Sequence, residues 1–398
     1  MNHTHHQPLS FNCPLWPKIS YENLQAALRL IFSRAGEFSK MGFESLEIDP
    51  AFIVLPENRP KTKHCDFTGD QIPLIDLSPL NSTWTETNLD SLVTQIRAAC
   101  RDWGFFQVIN HGVPPDLLQT LQSEAAKFFS LPLQEKSKVR RNFDNPFGYY
   151  DTELTKNVRD WKEVFDFTCR GITYLPASSD LDSHETIALT NQWPEDPPRL
   201  REACEKYADA VEKLSFRLLE LISLSLGLPA EYFNSKFEDH TSFLRLNHYP
   251  PCPVPELALG VSRHKDVGGL TVLAQDEVGG LQVRRKDGEW IGVKPVPNSF
   301  VINVGDCMQV WSNDKYESVE HRVVVNDKRE RFSIPLFFNP SQHVMLGPVP
   351  ELVNEENPPR YKEFNWGKFY KRRGESNFKH LGTENLQIHH FYISPNSS

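Results

Sequence analysis

The stretch from residue 242 to residue 339 is built from short β-type runs separated by turn signals, and this pattern restricts the fold more than any other feature. "VGG" at 278–280 and "KDG" at 286–288 are typical of hairpin turns. Eight such runs within about a hundred residues predict a sandwich or a jelly roll. The runs are SFLRLNHY, LTVLAQD, LQVRR, EWIGVKP, SFVINVG, CMQVWSN, HRVVVN and RFSIPLFFN.

The chain before this stretch shows helical periodicity and two short apolar strands. Apolar residues recur at helical spacing over 89–103, 114–139 and most clearly 199–226, where Gly227 ends the helix. IPLIDLSPL and FFQVIN are typical of strands. The aromatic-rich segment 140–153 is predicted to be a loop, and ASSDLDSHETIALTNQWPEDPP a polar connector.

These patterns predict a mainly β protein with flanking helices. Residues 1–45 are predicted to be a poorly ordered extension, and residues 46–238 to supply helices plus strands that contribute to the roll. Residues 239–345 are predicted to form the jelly-roll domain, and residues 346–398 a helical tail that packs on the β core or covers it.

Composition and charge narrow the class of partner. The 398 residues are 39% hydrophobic, which suits a globular protein, and the formal net charge of −9 gives no general attraction to nucleic acid or an anionic membrane. No apolar run approaches the ~20 residues of a membrane-spanning helix. Seven scattered cysteines without a CxxC pair indicate reduced thiols. We therefore expect a cytoplasmic monomer, with a nuclear location as an alternative.

Residues 1–40 allow two interpretations. NLQAALRLIFSRAGEFSK forms an amphipathic, Arg-bearing helical pattern, as organelle transit segments do. Alternatively, synthesis starts at Met41 and the first 40 residues add little. We favour the second interpretation.

His264 and Asp266 are the first candidate metal ligands. Residues i and i+2 share one face of a strand, so we expect this pair to point to the same side. His321 opens a later β run. Two histidines and a carboxylate can hold one face of Fe(II) and leave positions open for substrate or oxygen. Zinc also accepts this ligand set, so the three residues alone fit either an oxygenase or a hydrolase.

Arg331 favours the oxygenase. Its guanidinium can bind a carboxylate through two charge-assisted hydrogen bonds, and the hydroxyl of Ser333 can add a third. Together they suit the far carboxylate of a dicarboxylic acid whose other end chelates the metal. Tyr249 could donate to the same carboxylate, and Asn247 could position the chelating end. A surface salt bridge is the simpler reading of Arg331, but its apolar neighbours argue against an exposed face.

The remaining histidines near these motifs are predicted not to bind metal. His111 lies in a turn without acidic or His neighbours in sequence, and His248 points away from Asn247 and Tyr249. His240 is interpreted in the same way, and the pair 389–390 as exposed or packed with the tail.

The sequence resembles the plant Fe(II)- and 2-oxoglutarate-dependent dioxygenases, in particular a group related to flavonol synthase and anthocyanidin synthase. The resemblance extends from about residue 46 to about residue 392. It implies a double-stranded β-helix, with 2-oxoglutarate and O2 converted to succinate and CO2 and with ascorbate as reductant. The motifs that carry it are GFFQVINHG, NHYPPCPVPELALG, HKD, HRVVVN and RFSIPLFFNP.

Roles follow from this resemblance residue by residue. His264, Asp266 and His321 would ligate Fe(II), and Arg331 and Ser333 would hold the C5 carboxylate of 2-oxoglutarate. Tyr249 would assist them, and Asn247 would lie near the chelating end.

The resemblance leaves the substrate open. Arg245 stands where the flavonoid enzymes have a substrate-contacting lysine, and Asn339 where anthocyanidin synthase has a glutamate. Both departures argue against a flavonoid, whereas Phe337 keeps a ring-stacking position. Tyr149 is a further candidate substrate contact. We expect hydroxylation, desaturation or demethylation of a small plant specialised metabolite or hormone.

Two alternatives to this activity remain. One is a same-fold oxidase that does not use 2-oxoglutarate, as the ethylene-forming enzymes do. The other is a non-catalytic β-roll binding module.

Overall fold

The computed structural model describes residues 48–60, 67, 71–81, 86–180, 183–378 and 385–393. The extension predicted over 1–45, with its two interpretations, lies outside the described residues. None of the helices in the described part of the chain has both the length and the apolar character of a membrane span.

The described residues contain 18 strands and six α-helices, joined by turns and short 3₁₀ segments. The helices are α1 (Glu86–Asp102), α2 (Pro115–Phe129), α3 (Leu133–Lys136), α4 (Leu200–Ser225), α5 (Asp306–Trp311) and α6 (Trp366–Gly374). The strands are β1 (Leu74–Asp76), β2 (Phe105–Ile109), β3 (Gly148–Tyr150), β4 (Leu154–Thr155), β5 (Val158–Arg159), β6 (Glu163–Thr168), β7 (Ile172–Pro176), β8 (Thr186–Thr190), β9 (Phe243–Tyr249), β10 (Leu259–His264), β11 (Leu270–Gln275), β12 (Leu281–Arg284), β13 (Trp290–Gly292), β14 (Phe300–Val304), β15 (His321–Val324), β16 (Arg331–Phe338), β17 (Met345–Leu346) and β18 (Phe364–Asn365).

Two sheets form the predicted jelly-roll core. The larger has eight strands in the order β1-β2-β14-β11-β16-β9-β6-β3, and the smaller has four in the order β10-β15-β12-β13. All neighbouring pairs are antiparallel except β1 with β2. In the larger sheet, four central strands from 239–345 are flanked on both sides by strands from 46–238, so both segments share one hydrophobic core.

Helix α4 covers the larger sheet because one of its faces is apolar along its whole length. Leu214, Leu218 and Leu221 on this face are almost completely buried, in one cluster with Val272 of β11 and Leu336 of β16. Each buried leucine contributes about 1.5–3 kcal/mol relative to an exposed one. The helix therefore fixes the sheet that carries much of the site described below.

The structure corrects the strand prediction for CMQVWSN. These residues belong largely to α5, which begins at Asp306 after the extended Gly305. All six residues of α5 are buried. A short apolar run that is buried on every side shows no period that separates helix from strand.

The polar connector was also predicted wrongly in part. It contains β8, which pairs with β7 in a hairpin from Ile172 to Thr190.

A second hairpin, β4–β5, turns at Lys156 and Asn157, both with positive φ (53° and 64°).

Candidate active site

Two histidines come together across the smaller sheet. His264, the last residue of β10, is the antiparallel partner of His321, the first residue of β15, and their ring centroids lie 4.2 Å apart. Each Nδ1 bonds a backbone carbonyl oxygen: Ser262 at 2.9 Å for His264 and Val319 at 3.1 Å for His321. Because a carbonyl only accepts, each Nδ1 carries the hydrogen and each Nε2 keeps its lone pair for a metal.

Asp266 joins them from a loop, which corrects the prediction that it shares a strand face with His264. Strand β10 ends at His264, and the following loop crosses to the larger sheet. There the Gly269 N–H donates to the Phe338 carbonyl oxygen at 3.0 Å. Asp266 Oδ1 lies 3.7 Å from His264 Nε2 and 3.6 Å from His321 Nε2.

These three residues fit a divalent metal ion. One ligand atom from each lies within 4.8 Å of the others, and Asp266 and His321 are buried. Two imidazole nitrogens and one carboxylate oxygen on one side suit Fe(II) with open positions.

The electrostatics favour the metal-binding protonation states. Burial, together with the neighbouring His321, lowers the pKa of His264 to about 3. Burial alone would raise the pKa of Asp266, but the two imidazoles and hydrogen bonds from Thr271 and Asn303 outweigh it and lower that pKa. Near neutral pH the site thus presents a neutral imidazole at His264 and a carboxylate at Asp266, as a metal requires.

The predicted 2-oxoglutarate residues form two cross-strand pairs on the larger sheet. Arg331 lies opposite Tyr249, and Ser333 opposite Asn247. The Arg331 guanidinium carbon lies 4.9 Å from the centre of the Tyr249 ring, and Asn247 Nδ2 donates to Ser333 Oγ at 3.3 Å. The structure therefore brings together all four residues.

The buried guanidinium of Arg331 is suited to bind an anion. The residue is 3% exposed, and its Nε and Nη1 have no hydrogen-bond partner among the described residues. Nη2 has only a long contact of 3.4 Å with Gln275 Oε1. A buried charge with unsatisfied donors is strongly unfavourable, and a carboxylate offers the two acceptors that this fork requires. The C5 carboxylate of 2-oxoglutarate meets that requirement.

A cavity of about 630 Å³ adjoins the metal ligands. His264 and Asp266 line it, together with Arg245, Phe337 and Asn339. Three of the four predicted substrate residues thus reach this space.

Tyr149 is the fourth predicted substrate residue, and the structure does not bring it to the cavity wall. It is 1% exposed, and its hydroxyl donates to Glu163 Oε2 at 2.7 Å.

Comparisons with known proteins assign the family. Residues 240–340 match the 2OG-Fe(II) oxygenase superfamily, and residues 72–196 match the family described as non-haem dioxygenase in morphine synthesis N-terminal. Protein DMR6-LIKE OXYGENASE 1 of Arabidopsis thaliana is 38% identical over 346 residues, which cover 82% of this chain and 91% of that protein. The chain belongs to the 2OG-Fe(II) oxygenase superfamily.

Two further relatives show the range of this oxygenase family. Oxoglutarate-dependent flavonoid 7-O-demethylase 1 of Ocimum basilicum is 36% identical over 305 residues, 76% of this chain and 77% of that protein. The crystal structure of JOX2 in complex with 2OG, Fe, and JA shares 34% identity at a TM-score of 0.72, covering 90% of this chain and 97% of that chain. The predicted fold, enzyme class and use of Fe(II) and 2-oxoglutarate are confirmed, and the hydrolase and the non-catalytic module are excluded.

A buried ion cluster forms one wall of the oxygenase cavity, and sequence reasoning missed it. Arg245 Nε lies 2.7 Å from Asp166 and its Nη1 2.8 Å from Glu153, while Lys162 Nζ lies 2.7 Å from Glu153. Burial would raise the pKa of Glu153, but the positive charges of Arg245, Lys162 and Arg141 hold that pKa well below its usual range. The cluster contains three basic and three acidic side chains, so carboxylates of the cluster neutralise the charge that Arg245 brings to the cavity wall. The six members are Arg141, Lys162, Arg245, Glu153, Asp160 and Asp166.

The rest of the cavity wall comes from short segments that the sequence motifs did not indicate. The β4–β5 turn contributes Lys156 and Asn157, and α6 contributes Tyr370 and Arg373. Helix α6 belongs to the C-terminal segment, which was predicted to pack on the β core or cover it and to influence the specificity of the pocket. No motif pointed to the β4–β5 turn.

Proposed function

We propose that the oxygenase oxidises a small hormone or specialised metabolite that carries a planar ring. The oxidation is coupled to conversion of 2-oxoglutarate and O2 to succinate and CO2. The proposal is carried by the buried, incompletely bonded guanidinium of Arg331, in combination with the site of two histidines and one carboxylate. An oxidase that takes no 2-oxoglutarate would have no need for this anchor.

The ring follows from the apolar part of the cavity. Phe337 and Phe243 both line it and stack with centroids 4.8 Å apart at an interplanar angle of 30°. Offset aromatic stacking would hold a flat ring against this pair. The flavonoid demethylase is named for a flat aromatic substrate, and JOX2 binds jasmonate, so relatives support both a flavonoid-like compound and a hormone.

The chain's own residues would bind and orient the reactants. When bound by His264, Asp266 and His321, Fe(II) would supply the oxygen activation that amino-acid side chains lack. Arg331 and Ser333 would fix 2-oxoglutarate by its far carboxylate. The stacked phenylalanines would orient the substrate and exclude water around it.

The proposal extends to the reductant, the cellular location and the oligomeric state of the oxygenase. Ascorbate would keep the iron reduced. A cytoplasmic location is supported by the five described cysteines, which are all free thiols, as a reducing compartment requires. A monomeric state stays a prediction.

The proposal is tested by succinate formation from 2-oxoglutarate in purified protein supplied with Fe(II). Asp266→Ala should abolish it, whereas Asp239→Ala, which removes a carboxylate that is 90% exposed, should not. Flavones and jasmonate-like acids are then screened for compounds that raise succinate formation. Equimolar succinate and oxidised product are expected, and product without succinate would establish the oxidase instead.

Phe337→Ala separates the ring assignment from the reaction. The variant should lose the stimulation by substrate while its basal conversion of 2-oxoglutarate is unchanged. Stimulation equal to the wild type would overturn the stacking assignment alone.

A further inference from the structure

Asp266 is held by two donors on the larger sheet. Thr271 Oγ1 donates to Asp266 Oδ2 at 2.6 Å, and Asn303 Nδ2 donates to the same oxygen at 2.8 Å. Thr271 of β11 and Asn303 of β14 are cross-strand partners, 4% and 3% exposed. Because directly opposed residues share one face of a sheet, the pair presents both donors together.

The two oxygens of Asp266 therefore differ. Oδ2 accepts two hydrogen bonds, which match the roughly two lone pairs of a carboxylate oxygen. Oδ1 is the atom that faces the Nε2 atoms of His264 and His321, at 3.7 and 3.6 Å. Only one oxygen remains available to a metal.

The backbone of Asp266 is fixed independently of this pair. Its carbonyl oxygen accepts from the Asp306 N–H at 2.8 Å and from Ser318 Oγ at 3.3 Å. With the backbone fixed, Thr271 and Asn303 determine the rotation of the carboxylate about its last bond.

We infer that Thr271 and Asn303 are positioning residues that keep Asp266 a one-oxygen ligand. Carboxylates bind metal ions through one or both oxygens. A second oxygen from Asp266 would occupy a position that the reaction needs for 2-oxoglutarate or O2, so saturating Oδ2 keeps that position open. The inference rests on the proposed metal site and adds to it how the site stays accessible.

The test compares isosteric variants by metal binding, using Co(II) titrated anaerobically and followed by its visible absorption. Thr271→Val and Asn303→Leu each remove a donor at nearly constant shape, and Thr271→Ser retains the hydroxyl. Loss of an outer partner typically weakens metal binding 10–100-fold, so we expect that increase in the dissociation constant for Thr271→Val and Asn303→Leu. Thr271→Ser keeps the donor, so its dissociation constant should stay well below the roughly tenfold increase at which that range begins.

Saturation with Co(II) then tests the open position. A higher concentration of 2-oxoglutarate should be needed to perturb the spectrum of Thr271→Val than that of Thr271→Ser. In Thr271→Val, the second oxygen of Asp266 would compete with 2-oxoglutarate for the metal. Unchanged dependence on 2-oxoglutarate would overturn the one-oxygen role.

Controls separate this inference from folding and from the metal site. Thr241→Val removes a buried hydroxyl that bonds the Pro340 carbonyl oxygen, and it should leave Co(II) binding unchanged. Equal losses in Thr271→Val and Thr271→Ser, or wild-type binding in both donor-free variants, would overturn the inference. Co(II) binding retained by Asp266→Ala would instead overturn the metal site. If Asn303→Leu fails to fold, the two Thr271 variants decide.

Discussion

His264 and His321 are directly opposed partners of one antiparallel strand pair, with their ring centroids 4.2 Å apart, although four strands of the two sheets lie between them in the chain. The sheet register, rather than a local loop, therefore sets the spacing of the two imidazoles. Burial and the neighbouring His321 lower the pKa of His264, so the His264 ring stays neutral near neutral pH and can bind a cation.

Arg331→Ala should raise the KM for 2-oxoglutarate far more than it affects iron loading. One charge-assisted hydrogen bond contributes about 1.5–3 kcal/mol, so the increase should be roughly 10–100-fold or more. Succinate formation at varied 2-oxoglutarate, with iron content measured separately, checks this.

Arg329→Ala is the matched control, because Arg329 pairs with Glu277 at the surface and is 58% exposed. Its KM should equal that of the wild type. An Arg331→Ala enzyme with a normal KM would contradict the anchor assignment.

Gly305→Ala should impair the metal site through the backbone. A Cβ there would lie 2.3 Å from the Gly268 carbonyl oxygen and 3.0 Å from that of Asp266. Such overpacking costs about 1–3 kcal/mol and would shift the Asp266 loop. Thermal unfolding and Co(II) affinity should both decline, whereas Gly171→Ala, where a Cβ meets nothing within 4 Å, should change neither.

Glu163 should contribute stability that is lost in acid. Burial would raise its pKa, but His248, Lys136 and Tyr149, all within hydrogen-bonding distance, outweigh burial and lower the pKa. A depressed carboxyl pKa stabilises the fold above the unfolded value of about 4.3, and this stability disappears as pH falls through the folded pKa.

Melting temperatures from neutral pH to pH 3 check this expectation. Glu163→Gln should melt lower than wild type at neutral pH, and the gap should narrow below about pH 4.3. Glu202→Gln changes an exposed carboxyl paired with Lys206 and should show little gap at any pH. A gap that is constant with pH would argue against the depressed pKa.

Arg245→Ala should destabilise the protein by about 3–5 kcal/mol, because it leaves Asp166 and Glu153 buried with one cation fewer. Arg201→Ala breaks an exposed pair with Glu205 and should cost under about 1 kcal/mol. Denaturant unfolding measures both. A small loss in Arg245→Ala would mean that Arg141 and Lys162 compensate.

The chemistry of the site could be predicted because it depends on residue types that few other structures require together. Arg331 and Ser333 lie two residues apart on β16, as strand geometry predicts, whereas His264 and Asp266 were recognised by residue type although Asp266 lies in the loop after β10. The resemblance of the motifs around these residues to a family then supplied the jelly roll and the cofactors.

The support of the site could not be predicted in the same way. Thr271 and Asn303 look like ordinary polar residues inside apolar strands until the register places them opposite each other. The ion cluster joins β6 to β9 and to the segment before β3, and no local pattern announces such distant pairing. Strand β6 contains Asp166, which reads as exposed until its buried partners are known.

The β4–β5 turn and α6 have a consequence for how this oxygenase can diverge. The residues that would hold metal and 2-oxoglutarate lie on or next to sheet strands, whereas Lys156, Asn157, Tyr370 and Arg373 of the cavity wall belong to a two-residue turn and a terminal helix. Such surface segments accept substitution and length change more readily than a sheet does. A lineage of these enzymes can thus exchange one substrate for another while inheriting the same reaction.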